Sequence, residues 1–203
     1  MTNRVRWGLV AVVVLAAVAA AIWWPRGSAT PTGTAAPAPP QNLTADRAAA
    51  ALPGCPSSPT GPVGLSGTSV ICAATGAPVD LARVVGAGPV LVNVWATWCA
   101  PCRAELPALA RYAASAGAVR VLTLQVDSDQ KSGLDELAEL KVKLPTVYDG
   151  AGGAEKALKL PDVRPVSYLV TPNGTITRIS DPLVFTSADQ ISTTVAGLLA
   201  AQR

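Results

Sequence analysis

The sequence predicts an α/β fold in which a central mixed sheet is flanked by helices. Two observations support this prediction. Strand-like apolar segments alternate with segments of helical periodicity over residues 89–201, and they follow an uncharged, proline-rich stretch that ends near residue 41. A chain of 203 residues can hold one domain of about 150 residues and a leader. We therefore expect a single folded domain.

The first 41 residues differ from the rest in composition. Residues 1–26 hold an uncharged run of about 17 residues, with arginines before it and Trp23-Trp24 at its end. This pattern predicts a membrane anchor or a signal sequence, and the tryptophans favour a retained anchor. Basic residues ahead of such a run keep the N-terminus in the cytoplasm. We therefore expect a single-pass protein of the bacterial cell membrane, with residues 27–41 as a linker and the domain of residues 42–203 outside the cytoplasm.

The first half of the domain reads strand, helix, strand, helix. The run 89–95 is continuously apolar apart from one asparagine, as in a strand buried on both faces. A helix over about 101–115 follows, with leucines at helical spacing. A second strand covers 119–126, and a second helix covers 132–140. This order implies right-handed crossovers between parallel strands.

The second half contains shorter elements. A strand at 146–148 and a helix at 154–160 precede an apolar strand at 166–170. An Asn-Gly pair then marks a hairpin turn, which predicts an antiparallel edge strand at 175–179. The last helix spans 187–201. The sheet is thus predicted to be mixed.

Composition excludes several kinds of chemistry. Histidine is absent, which removes Ser-His-Asp and Cys-His nucleophiles and every imidazole metal site. Three of the 16 basic residues flank the apolar run, and the remaining ones balance the 13 acidic residues. The domain is therefore near neutral, which gives nucleic-acid binding no electrostatic basis. We expect no metal and no cofactor.

The close pair Cys99 and Cys102 follows the first buried strand and opens a helix. Zinc is the alternative for a Cys-x-x-Cys pair, but it needs four ligands, and Cys55 and Cys72 form no second close pair. A helix N-terminus stabilises a thiolate. We therefore expect Cys99 to be the nucleophile of thiol-disulfide exchange and Cys102 the resolving thiol, with Pro101 in the first helical turn.

The string NVWATWCAPCRAELP at residues 93–107, with a later proline opening the strand at 166–170, resembles the thioredoxin superfamily over about residues 65–200. More narrowly, it resembles the membrane-anchored reductases of cytochrome c maturation. The resemblance implies a thioredoxin fold with an inserted helix and strand between the cysteine half and the proline half. It also implies protein-disulfide reductase activity. The implied partners are protein thiols and disulfides, apocytochrome c among them, and an integral-membrane electron donor.

The resemblance also implies roles for single residues. Pro165 corresponds to the family's cis-proline, so that Arg164 would face a bound partner, and Trp98 and Pro101 would contact it next to the cysteines. Asn93 stands where thioredoxin has a buried aspartate, which is a departure from the usual proton relay. Glu105 is the candidate for proton transfer, and an ordinary exposed helix glutamate is the alternative.

Cys55 and Cys72 are expected to form a structural disulfide, since two further cysteines in an oxidising compartment usually pair. The alternative is a second redox pair that relays electrons to Cys99. Because no histidine lies between Cys99 and Cys102, we expect a reducing to intermediate potential. Two other functions stay open: an oxidase or isomerase for secreted proteins, and a non-catalytic module that binds thiols or haem.

Overall fold

The computed structural model describes residues 42–171 and 173–202. The predicted anchor at 1–26 and the linker at 27–41 lie outside these residues. Within the described ranges no helix is long and apolar enough to cross a membrane. The longest described helix has 14 residues, or about 21 Å, and a bilayer core is about 30 Å thick. The prediction of a single-pass protein of the bacterial cell membrane is therefore wrong for the described part of the chain.

The described residues form seven short strands, which build one sheet, and six α-helices of different lengths. The strands are β1 (Ser69–Cys72), β2 (Pro78–Asp80), β3 (Val90–Trp95), β4 (Arg120–Gln125), β5 (Thr146–Tyr148), β6 (Val166–Val170) and β7 (Ile176–Ile179). The helices are α1 (Thr44–Ala50), α2 (Leu81–Val85), α3 (Ala100–Ala113), α4 (Gln130–Glu139), α5 (Gly153–Leu158) and α6 (Ala188–Ala200).

The strands form one mixed sheet in the order β2-β1-β5-β4-β3-β6-β7. The central strands β3, β4 and β5 are parallel, whereas β6, β7, β1 and β2 join antiparallel. Strand β7 pairs only with β6 and so forms the predicted edge. The predicted α/β class with a mixed central sheet is thus confirmed. The carboxyl end of β3 lies between the end of β4 and the start of β6.

The two faces of the sheet bury two separate cores. Along β3, Val90, Val92 and Val94 belong to one apolar cluster, and Leu91 and Trp95 belong to the other. This alternation is the period of two that a strand imposes on its side chains. The second cluster also contains buried residues of α3 and α6, which cover that face. We refer to these clusters as the valine core and the helix core.

From residue 90 onward the elements lie within two residues of their predicted limits. The predicted strands at 146–148 and 166–170 match β5 and β6 in full. Five elements before residue 89 were not predicted: α1, β1, β2, α2 and a 3-10 helix over Val63–Leu65. Of these, β1 and β2 add a β-hairpin to the far side of the sheet, where β1 pairs with β5.

Candidate active site

The cysteine pair lies where β3 passes into α3. Cys99 is the N-cap of α3 and Cys102 lies in its first turn, and the two are joined by a disulfide with a Cα–Cα distance of 5.2 Å. The backbone N–H of Cys102 donates to Cys99 Sγ over 3.1 Å. Pro101 occupies the first turn, where a missing N–H breaks no helical bond. The sulfur that would carry the negative charge in exchange therefore lies at the N-terminus of α3 and accepts a hydrogen bond from one of its free N–H groups.

Glu105 lies one turn further along α3, and it is buried, with 1 % of its surface exposed. Its Oε2 accepts a hydrogen bond from Asn93 Nδ2 (2.8 Å), and its Oε1 accepts one from the backbone N–H of Phe185 (2.8 Å). Burial raises the pKa of this carboxyl to about 7, although both hydrogen bonds act in the opposite direction. The alternative of an ordinary exposed glutamate is therefore wrong.

Asn93 connects the carboxyl to the neighbouring strand. Its Nδ2 also donates to Ser167 Oγ (3.0 Å), and the two residues face each other across β3 and β6. Its Oδ1 is buried and has no hydrogen-bond partner among the described residues. Neither Ser167 nor Phe185 was predicted from the sequence as a partner of this group. The strand register would have predicted Ser167, whereas Phe185 carries no sequence signal beyond being the one phenylalanine.

A second group of side chains crosses the carboxyl end of β3. Trp98 has 62 % of its surface exposed, and its Nε1 donates to the Asp127 carbonyl oxygen (3.0 Å). Arg164 Nη2 donates to Asp127 Oδ2 (2.8 Å). The Arg164 side chain is 5 % exposed, and its Nη1 donates to the carbonyl oxygens of Pro161 and Val163. The guanidinium thus points into the protein. The prediction that Arg164 faces a bound partner is therefore wrong.

Pro165 follows this arginine and is buried at the start of β6. The Arg164–Pro165 peptide bond is cis, as is Asp181–Pro182 in the loop before α6. Val166 pairs with Val94, which brings the Pro165 loop to the end of β3 where the cysteines follow. The structure therefore brings Trp98, Cys99 and Pro165 to the same edge of the sheet.

Gln125 stabilises the loop that follows β4 through hydrogen bonds. This residue is buried, and its Nε2 donates to Asp129 O (2.8 Å) and Ser128 Oγ (3.1 Å). Gly133 of α4 leaves the space for it, since a Cβ there would lie 2.0 Å from Gln125 Oε1. The position of Asp127 in this loop therefore depends on a glutamine and a glycine outside the site.

The other two cysteines, Cys55 and Cys72, also form a disulfide, with a Cα–Cα distance of 5.9 Å. Cys55 packs against the valine core, and Cys72 is in register with Val147 of that core. Cys99 and Cys102 belong to the helix core. The two disulfides therefore lie on different faces of the sheet, and the structure does not bring them together. Within residues 42–171 and 173–202, no cluster of histidine, cysteine or acidic side chains fits a metal ion.

Comparisons with known proteins identify the family of the chain and several relatives. The model of the AhpC/TSA family matches residues 68–179, more than half of the chain. The chain is 30 % identical to the thiol-disulfide oxidoreductase ResA of Oceanobacillus iheyensis over 105 residues, which are 50 % of this chain and 53 % of ResA. It is 36 % identical to the thiol:disulfide interchange protein DsbE of Escherichia coli over 89 residues, 43 % and 46 % of the two chains. It thus spans about half the length of these curated relatives.

A solved structure shows the same fold. It is a secreted disulfide oxidoreductase of Mycobacterium tuberculosis, which superposes with a TM-score of 0.55 over 64 % of this chain and 94 % of that one, at 24 % identity. The expected thioredoxin fold is thereby confirmed.

Proposed function

The chain belongs to the AhpC/TSA family, and on that premise we propose that it is a thiol-disulfide oxidoreductase that uses Cys99 and Cys102 to reduce disulfides in other proteins. The observation that carries the proposal is the buried cysteine pair at the N-terminus of α3, with Cys99 as the helix cap. The similarity to ResA and DsbE supports the same chemistry.

In the reduced enzyme, the Cys99 thiolate attacks one sulfur of a partner disulfide, and the other partner sulfur leaves as a thiolate. Cys102 then gives up its proton, attacks Cys99 Sγ and releases the partner's second thiol. Two electrons pass to the partner, and the enzyme ends as the Cys99–Cys102 disulfide that the structure contains. A second dithiol must then reduce this disulfide before another cycle.

Glu105 is our candidate for the group that takes the proton of Cys102. It lies three residues after Cys102, on nearly the same face of α3. With a pKa of about 7 it can both accept and release a proton near neutral pH. Asn93 and the Phe185 N–H orient the carboxyl through the two hydrogen bonds described above.

We place the activity outside the cytoplasm, with oxidised haem-binding cysteines of apocytochrome c as the target and an integral-membrane dithiol as the electron donor. The Cys55–Cys72 disulfide supports an oxidising compartment, where a structural disulfide persists. Similarity to ResA and DsbE supports protein thiols and disulfides as the substrates, and the resemblance of residues 93–107 to the reductases of cytochrome c maturation supports the target. Trp98 and Pro165 are the proposed contacts for the partner next to the cysteines.

The test is the reduction potential of the whole chain, measured against glutathione by the change in tryptophan fluorescence that accompanies reduction of the Cys99–Cys102 pair, next to Trp95 and Trp98. A potential near or below about −250 mV is expected for a reductant, whereas about −120 to −180 mV would favour an oxidase or isomerase. A matched variant with Cys55→Ala and Cys72→Ala assigns the measured potential to the remaining pair. If the Cys99→Ser, Cys102→Ser variant retained full function, the chain would instead be a non-catalytic binding module.

A further inference from the structure

We propose that the Asp127–Arg164 ion pair is a positioning device for the partner polypeptide, which fixes the Trp98 loop and the Pro165 loop on the two sides of Cys99. The inference rests on the proposed function and deepens it, because it separates recognition of a polypeptide from the thiol chemistry itself. We refer to Trp98, Asp127 and Arg164 together as the bridge.

The sheet order places the bridge across the reactive strand. Trp95 at the end of β3 is in register with Gln125 of β4, two residues before Asp127. On the other side of β3, Val94 is in register with Val166, two residues after Arg164. Strands β4 and β6 are not neighbours, since β3 lies between them. The ion pair therefore spans the end of the strand from which the cysteines follow.

Asp127 contacts the two loops through different groups. Its carboxylate accepts from Arg164 Nη2, and its backbone carbonyl accepts from Trp98 Nε1. It adopts this arrangement with a positive φ of 49°, which is uncommon for a residue other than glycine. A displacement of Asp127 would therefore move both the indole and the arginine.

Arg164 transmits this constraint to its own loop. With a side chain only 5 % exposed, it donates to the carbonyl oxygens of Pro161 and Val163 as well as to Asp127. Glu155 Oε2 lies 3.9 Å from Nη2 and adds a second negative charge on the same side. The exposed apolar side chains in the two loops are Trp98 (62 %) and Val163 (55 %). The arginine itself is out of reach of a partner, so it acts through these neighbours.

This arrangement predicts that loss of the ion pair affects exchange with polypeptide disulfides and not exchange with small disulfides. A polypeptide must lie along both loops to bring its disulfide to Cys99, whereas a small disulfide needs access to the sulfur alone. Loss of the ion pair should therefore slow exchange with a polypeptide and leave exchange with a small disulfide nearly unchanged. The reduction potential should also stay the same, because among the described residues neither charged side chain forms a hydrogen bond with Cys99 or Cys102.

The experiment compares two oxidants of the reduced full-length chain. One is a short peptide with an intramolecular disulfide across Cys-Ala-Ala-Cys, and the other is oxidised glutathione. Asp127→Asn removes the carboxylate charge and keeps the carbonyl, and asparagine tolerates a positive φ. Arg164→Gln removes the other partner. Asp135→Asn is the matched control, since Asp135 pairs with Lys131 at 2.7 Å on the exposed surface of α4.

We expect Asp127→Asn and Arg164→Gln each to lower the second-order rate constant with the peptide about fivefold, because the peptide binds more weakly, and to change the rate constant with glutathione less than about twofold. The double variant should lose no more than Arg164→Gln alone, since the Asp127 carboxylate acts through that arginine. Asp135→Asn should match the unaltered chain with both disulfides.

Equal losses with peptide and glutathione, additive losses in the double variant, or no loss with the peptide would each overturn the inference while leaving the proposed function intact. Absence of exchange by the unaltered chain with either disulfide would overturn the proposed function, and the inference with it. If Arg164→Gln failed to fold, the near-isosteric Asp127→Asn would still decide the question.

Discussion

Replacing Glu105 by glutamine should remove most of the pH dependence of stability of the oxidised chain between about pH 4.5 and 7. Burial raises the pKa of this carboxyl from its ordinary 4.5 to about 7 in the folded protein. The folded state therefore holds a proton that the unfolded state releases over this range. Its stabilising effect is fully present below pH 4.5 and is lost as pH rises through about 7.

The magnitude follows from that difference. Each pKa unit corresponds to about 1.4 kcal/mol, so ionisation of Glu105 should lower the free energy of unfolding by about 3 kcal/mol across the range. Glutamine imitates the protonated acid. Its oxygen can still accept from the Phe185 N–H, and its NH₂ can donate to Asn93 Oδ1, which has no partner within the described residues, once the Asn93 amide turns over.

The assay is denaturant unfolding of the oxidised full-length chain at a series of pH values, followed by circular dichroism. The unaltered chain should lose stability as pH rises from about 4.5 to 7, and Glu105→Gln should give a nearly flat profile. Glu139→Gln is the control, because the Glu139 side chain is 67 % exposed and bonded to Arg103. The same slope in Glu105→Gln and in the unaltered chain would show that another group causes the pH dependence.

Three further outcomes follow from the same geometry. Cys102→Ser should accumulate a mixed disulfide between Cys99 and a disulfide peptide on non-reducing gels, and turnover at the unaltered rate would contradict the assigned roles. Cys55→Ala with Cys72→Ala should lower the free energy of unfolding by about 3 kcal/mol in denaturant titrations without changing the reduction potential, and a shifted potential would mean that the two disulfides communicate. Asn93→Leu removes an N–H donor that lowers the pKa of the buried carboxyl, so the midpoint of the pH–rate profile of exchange in stopped flow should rise, and a fall would argue against this hydrogen bond.

The elements that the sequence predicted are those whose patterns are long or strongly bounded. Strand β3 is a six-residue run buried at every position, and α3 begins with a proline in its first turn. The missed strand β2 contains proline and aspartate, which are rare in strands, whereas β5 has the same length but consists of Thr, Val and Tyr, which favour strands. Strand β1 has four residues and is bounded by no strong turn signal of the Asn-Gly kind that precedes β7. Helix α1 is short, and its C-cap Ala51 has a φ of 45°. A glycine is usual in this conformation and would have marked the end of the helix in the sequence.

The candidate site divides in the same way. The location of the cysteine pair at a strand-helix junction is predicted from neighbouring residues. The role of Glu105 in proton transfer is predicted from the family resemblance. Its partners lie 12 and 80 residues away in the sequence, so only the folded chain reveals its burial and its pKa. The direction of the Arg164 side chain was missed for a similar reason, since its partner Asp127 is 37 residues earlier.

The close approach of Gln125 to Gly133 restricts which residues can replace Gly133. Alanine in place of a glycine inside a helix usually stabilises the helix, so a library chosen by helix propensity would accept Gly133→Ala. Here the added methyl group would displace the glutamine that anchors the loop of Asp127. Sequence variation at this distant helix position is therefore restricted by the geometry of the reactive edge, and the restriction would appear as lost selectivity between substrates before any loss of fold.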